Sequence, residues 1–187
     1  SAQMDVNADI NISWLPMPIM GEDRKPTGEW NTRGLRLPGG AGAPVVFGLH
    51  KKSIAYFASH SKQVFVPKVN YITGTRVYLT AEEREAQGLR PGPVVVVTNL
   101  CIMEMVERGK WVVHSLHKGV TAQDVIDNTG FKVEIADDCP ETKAPTAQEV
   151  ELIKDLDPKG IRLLDFMSGK ERAGKLPAIL NDEWSSV

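Results

Sequence analysis

The residues with the clearest chemical potential are Arg36-Leu37-Pro38-Gly39-Gly40-Ala41-Gly42-Ala43-Pro44. Glycine reaches torsions that other residues avoid and has no Cβ to block a close approach. Pro44 suits the first position of a helix, where its missing N–H is least missed. A glycine-rich turn running into a helix start presents backbone N–H groups as a cradle for an anion or an oxyanion. A tight strand-to-helix turn with no ligand fits the same residues. No GK[ST] follows, so a nucleotide P-loop is excluded. Val45 stands where the third glycine of a dinucleotide fingerprint would be.

Other candidates surround this loop in sequence. His50-Lys51-Lys52 and His60-Ser61-Lys62 form a modest basic cluster, read either as a solvated face or as an attraction for a phosphorylated ligand. His114 and His117 close a predicted strand and point to opposite faces if it continues, a poor arrangement for a metal. Asp137-Asp138 precede Cys139-Pro140 and read as a strand end entering a turn. Cys101, Met103 and Met105 read as core or interface residues. No Ser or Cys has a base and an orienting group at a recognisable spacing, so the chain carries no complete catalytic set.

Composition narrows the class. The 187 residues are 42% hydrophobic and 25% charged, as in a globular protein, and are read as a single domain over 1–187 with a tail at 169–187. A net charge of −2 gives no field to attract nucleic acid or an anionic membrane. Two cysteines 38 positions apart make neither a disulfide framework nor a zinc site, and a cytoplasmic location is the expectation. No apolar run reaches the length of a membrane span and no signal peptide is legible.

The elements that would hold the loop follow from pattern. Asp9 to Trp14 alternates polar and apolar residues as a strand does. Further strands are predicted at Ser53–Phe57, Gln63–Val66, Val94–Val97, Trp111–Leu116 and Lys132–Ala136, with Val94–Val97 buried on both faces. Three helix starts share one form, a Thr followed three residues later by an acid: Thr80…Glu83, Thr121…Asp124 and Thr146…Glu149. Pro16 to Arg36 reads as a long surface loop. Gly169 to Val187 reads as a loosely ordered terminus, although Leu176, Ile179, Leu180 and Trp184 lie at helical spacing. Strands mixed with short helices give an α/β fold, an open sheet with helices on its faces.

Several segments together resemble the β subunit of class I coenzyme A transferases of the glutaconate and 3-oxoacid type. They are Ser1-Ala2-Gln3-Met4-Asp5 through Asn11-Ile12, the glycine loop, His60-Ser61-Lys62-Gln63-Val64-Phe65-Val66 with Val69-Asn70-Tyr71-Ile72-Thr73, Val97-Thr98-Asn99-Leu100, Leu116-His117-Lys118-Gly119-Val120-Thr121 and Asn128-Thr129-Gly130-Phe131. The resemblance spans about residues 1 to 165. It implies the fold of that superfamily and an α subunit-like partner chain. It also implies transfer of coenzyme A from an acyl-CoA to a small carboxylic acid through a glutamyl-CoA intermediate, with coenzyme A as substrate and no cofactor. In that reading Gly39, Gly40, Ala41 and Gly42 bind coenzyme A or an oxyanion, and Lys51, Lys52 and Lys62 contact its phosphates. The family's nucleophilic glutamate, in a Glu-Asn-Gly or Glu-x-Gly turn, lies upstream of the segment that the first residues resemble. The chain is therefore read as the C-terminal portion of a β subunit that needs an N-terminal β segment to supply the glutamate. Ala8-Asp9 replace a usual Gly-Asn, Lys118 a usual Pro, and Asn99 a usual Asp. An asparagine at that last position also occurs in relatives that open rings of CoA thioesters by hydrolysis. That hydrolase and a noncatalytic CoA-binding or assembly subunit are the alternative expectations.

Overall fold

A computed structural model of the chain describes residues 2–23, 26–50, 52–75, 80–88 and 94–185. The chain divides into two compact units, Ser1–Thr142 and Lys143–Val187.

The first unit opens with β1 (Gln3–Asp5), antiparallel to β2 (Ile10–Asn11). The strand expected over Asp9 to Trp14 is broken after Asn11. The side-chain carbonyl of Asn11 accepts the N–H groups of Ser13 and Trp14 and turns the chain. β3 (Trp14–Met20) and β4 (Pro26–Arg36) then form a two-stranded antiparallel ribbon. This corrects the expectation of a loop over Pro16 to Arg36. The prolines that argued against a strand sit in a ribbon whose strands each have an outer edge free of ladder bonds, and the register shifts twice along it. α1 (Ala43–Leu49) follows, then β5 (Ser53–Tyr56) and β6 (Phe65–Val66), which lies parallel to β1.

α2 (Ala81–Ala86) leads to β7 (Val94–Val97), β8 (Cys101–Glu107), β9 (Lys110–Leu116), α3 (Ala122–Asn128) and β10 (Glu134–Ile135). The five-stranded sheet has the order β10-β9-β8-β7-β5 and mixes parallel and antiparallel pairs. Its inner face contributes Val94, Val96, Cys101, Met103, Trp111 and Val113 to the core, where they join Met4, Phe57, Phe65 and Val125. Val95 and Val97 on the other face are only half-buried, so β7 is not covered on both sides as its four valines suggested. Strand β8 escaped the sequence reading, although Met103 does face the core. The Trp111 indole donates to the carbonyl of Val6 at 2.7 Å, which satisfies its one polar atom.

The second unit comprises α4 (Ala147–Leu156), a 3-10 turn at Ile161–Phe166, and α5 (Gly169–Ser185). Gly169–Ser185 is thus helical, with Ile179 buried, where a loosely ordered terminus was expected. All three Thr-x-x-acid signals form reciprocal caps, including the Asp124 case. Among the described residues no helix is long and apolar enough to cross a membrane.

Candidate functional site

The frame of the glycine loop is a set of buried polar side chains. Asn11 donates to Gln3 at 2.9 Å and to the carbonyl of Trp14 at 2.6 Å, and Gln3 donates to Asn70 at 2.8 Å. Asp5 accepts from the amides of Asn7, Asp9 and Val69, which fixes the turn between β1 and β2 against the segment after β6. Thr73 completes the frame. Its hydroxyl accepts from the Ile12 amide at 3.0 Å and lies 2.7 Å from the Ser13 hydroxyl. Burying amides and carboxylates in such number is tolerable because nearly every atom has a partner.

The loop is hung from this frame by backbone bonds. Leu37 donates to the carbonyl of Ser13, and Gly39 to that of Ile12, both at 2.9 Å, so the ladder of the ribbon runs on into the glycines. Gly39 has φ +100° and Ala41 +42°, a left-handed passage that reverses the chain. The Ala43 amide returns to the carbonyl of Gly40 at 2.8 Å, and α1 starts there. Pro44 is the second helical residue rather than the first, still within the turn that has no intrahelical acceptor. Among the described residues, the amides of Gly40, Ala41 and Gly42 donate to no protein acceptor.

Each glycine has a different reason to be there. Gly39 needs its positive φ. At Gly40 a Cβ would lie 2.9 Å from the methyl of Thr73, whose hydroxyl is anchored on both sides. Gly42 has neither constraint: no positive φ is recorded and nothing lies within 4 Å of a Cβ placed on it. The protein's own packing therefore gives no reason for a glycine at this position.

The cationic candidates scatter. Lys51 lies outside the described residues. Lys52 is exposed just before β5. Lys62 is exposed at the rim of an open depression of about 620 Å³ that includes Pro67, Ile126, Phe131 and Lys132. Among the described residues no loop glycine lines it. His60 leaves the basic cluster altogether. It is buried, with Nδ1 3.0 Å from the Thr98 hydroxyl and Nε2 2.9 Å from that of Thr129, and burial pushes its pKa down to about 4. It is a neutral strut joining the ends of β7 and α3. The carboxamide of Asn99 accepts the His60 amide at 2.7 Å. An aspartate could accept that bond equally.

The remaining candidates are structural. His117 bridges the Thr142 hydroxyl and the carbonyl of Thr98, whereas His114 pairs with Glu104 at 3.1 Å on the other side of the sheet. Burial pushes the Cys101 thiol up to about 11, which makes it an inert core sulfur. Asp137 and Asp138 are exposed in a turn closed by the Cys139 amide on the carbonyl of Ala136. Among the described residues no three His, Cys, Asp or Glu side chains gather as a metal would require. Thr73 and the Gln3–Asn11–Asn70 network were missed as site residues. Their signal was present in the segments Gln3–Asn11 and Val69–Thr73, but only the fold reveals that both segments hold the loop.

This arrangement can donate hydrogen bonds from backbone N–H groups to an anionic oxygen. Comparisons with known proteins agree with the architecture. A family model described as Coenzyme A transferase matches residues 2–128. The B-type subunit of the 3-oxoadipate CoA-transferase of Pseudomonas knackmussii is 38% identical over 174 residues, which cover 91% of this chain and 62% of that protein. The IpdB subunit of the cholesterol ring-cleaving hydrolase of Rhodococcus jostii is 49% identical over 49 residues, 26% of this chain and 19% of that one. The solved structure of glutaconate coenzyme A-transferase from Acidaminococcus fermentans has the same fold, with a TM-score of 0.61 at 24% identity. That match covers 82% of this chain and 55% of the other. The chain spans less than two thirds of the length of these proteins. With its α/β sheets, its glycine loop and these matches, the chain belongs to the coenzyme A transferase family.

Proposed function

We propose that this chain is the oxyanion-donating part of an enzyme that moves coenzyme A between an acyl-CoA and a small carboxylic acid. The observation that carries this is the row of unpartnered amides at Gly40 to Gly42, the last of them on a glycine for which the surrounding packing gives no reason. A glutamate from a further β-type segment or from a companion α-type chain attacks the thioester carbonyl. The C–S bond breaks, and an acyl-glutamyl anhydride and CoA thiolate form. The thiolate then attacks the glutamyl carbonyl, releases the first acid and leaves a glutamyl-CoA thioester. The acceptor carboxylate repeats the sequence in reverse and frees the glutamate. Each attack puts negative charge on a carbonyl oxygen, where preorganised amides act most strongly. Lys51, Lys52 and Lys62 serve the CoA phosphates in this reading. Two free thiols and the absence of a membrane-spanning helix among the described residues are compatible with a cytoplasmic enzyme.

The similarity to a 3-oxoadipate CoA-transferase chain over most of the sequence supports transfer as the first reading. The shorter, closer match to a chain of a ring-cleaving hydrolase supports C–C hydrolysis as the second. The complex purified from its host, incubated with acyl-CoA and borohydride, is expected to trap a reduced glutamyl residue. Oxygen-18 from water in the product, with no CoA exchange and no trapped glutamate, would replace the first reading by the second.

A further inference from the structure

The Ser13 and Thr73 hydroxyls together hold a proton that the protein itself does not use. They lie 2.7 Å apart, and Thr73 Oγ1 also accepts the Ile12 amide at 3.0 Å. A hydroxyl brings one O–H and two acceptor lone pairs. One of the two protons closes the bond between the pair. Among the described residues no protein acceptor takes the other. Both residues are half-buried, so neither hydroxyl is sealed from a bound molecule.

The two ways of placing these protons are not equal toward an anion. If Ser13 donates, Thr73 Oγ1 accepts from both Ser13 and Ile12, and the Thr73 O–H is left over. A hydroxyl that accepts two hydrogen bonds is polarised by them and donates more strongly. If Thr73 donates, the leftover O–H belongs to Ser13, which then accepts one bond only. An anionic oxygen therefore selects the first arrangement.

The position of the pair identifies the oxygen. The carbonyl of Ser13 holds the Leu37 amide and that of Ile12 the Gly39 amide, so the pair stands where the glycine loop is hung. The Thr73 methyl lies against Gly40, where a Cβ would approach it to 2.9 Å. Gly40 opens the run of amides that donate to no protein acceptor among the described residues. The Thr73 backbone is itself fixed, its amide donating to the carbonyl of Ile10 at 2.8 Å. Fixed donors of this sort act most strongly on charge as it develops.

We propose that Thr73, polarised by Ser13, donates a side-chain hydrogen bond to the same acyl oxygen that the loop amides serve. The proton stays on Thr73 throughout, and no covalent bond forms or breaks there. The identity of that oxygen rests on the functional reading above. In the complex purified from its host, Thr73→Val should lower kcat with acyl-CoA by about tenfold or more and leave KM unchanged. Valine keeps the methyl against Gly40 and lacks the O–H, whereas serine does the reverse, so Thr73→Ser should recover most of kcat. Ser13→Ala removes only the polarisation and should cost less, about two- to threefold. Amide exchange over residues 36–44, followed by mass spectrometry of the complex, should be the same in Thr73→Val as in the wild type. The loop hangs from the carbonyls of Ile12 and Ser13, not from the hydroxyl.

Full turnover in Thr73→Val overturns the donor and leaves the functional reading intact. So does an equal loss in Thr73→Val and Thr73→Ser, because the hydroxyl alone would then not suffice. Faster exchange over 36–44 in Thr73→Val overturns it too, since Thr73 would then act by holding the loop. A complex that hydrolyses acyl-CoA with no trapped glutamate overturns the transfer reading. The same order of Thr73 variants in that hydrolysis upholds the donor, because hydrolysis also puts charge on a carbonyl oxygen. A complex with no acyl-CoA turnover overturns both.

Discussion

Replacing Asp9 by Asn should make the protein more stable at neutral pH and leave it unchanged in acid. Asp9 is 7% exposed, its Oδ1 has no hydrogen-bond partner, and it follows Ala8 in the turn between β1 and β2. Burial holds its pKa above the ordinary value, and the nearby Asp5 carboxylate adds to this. A bond to Thr75 and the charge of Arg108 act the other way. A carboxyl raised in the folded state binds protons there more tightly than in the unfolded chain. Stability therefore falls as pH rises from the ordinary carboxylate value through the folded one, and stays at the lower level beyond. An unpartnered buried polar atom costs about 1–3 kcal/mol, more if charged. Asparagine removes the buried charge and its repulsion from Asp5, so a gain of about 1–2 kcal/mol is expected, or about 3–6 °C in melting temperature for a unit of this size. Thermal unfolding followed by circular dichroism at about pH 7.5 and about pH 2.5 measures it, since the wild-type group is protonated in both states well below the ordinary carboxylate value. A variant that melts lower at neutral pH would refute the reasoning, because Arg108 would then be the dominant partner. An equal gain at both pH values would also refute it, because the effect would then be steric.

Further outcomes follow from single residues. Ala8 has φ +62° and is fully buried, so Ala8→Gly should raise stability by about 0.5–1 kcal/mol, and an unchanged or lower urea midpoint would show that the turn is unstrained. His60 is held neutral with a folded pKa of about 4, so stability should fall as pH drops from about 6.5 toward 4, by up to about 3 kcal/mol. His60→Gln should flatten that slope, and a slope that survives the change assigns it to another group. Gly42→Ala should leave the melting temperature within about 1 °C, since its Cβ meets nothing. It should nonetheless weaken acyl-CoA turnover in the complex about tenfold or more; full turnover would remove Gly42 from the site.

Much of the fold was legible because its signals are local. The Thr-x-x-acid pairs became caps because hydroxyl and carboxyl sit one turn apart whatever the rest of the chain does. The Val94–Val97 run became β7, and only its second-face burial was misread, since sequence does not say what lies over a sheet. The ribbon was misread because prolines disfavour strands in general but not at a free edge. The tail was underestimated for a related reason: Leu176, Ile179, Leu180 and Trp184 had the spacing of α5, but a helical stripe does not announce its own stability.

The sequence by itself determined the family and the glycine loop, because these depend on residue types at short spacing. Only the tertiary structure decided what each residue there does. His60 moved from the basic cluster into the core, since burial excludes a charged imidazole unless a counter-charge comes with it. Gln3, Asn11, Asn70 and Thr73, as many as 70 positions apart in the chain, proved to be one support behind the loop. Gly42 was separated from Gly39 and Gly40 in the same way. Three glycines in four positions look alike in sequence, and only the surrounding atoms distinguish one held by its torsion, one by its neighbour, and one with open space around it.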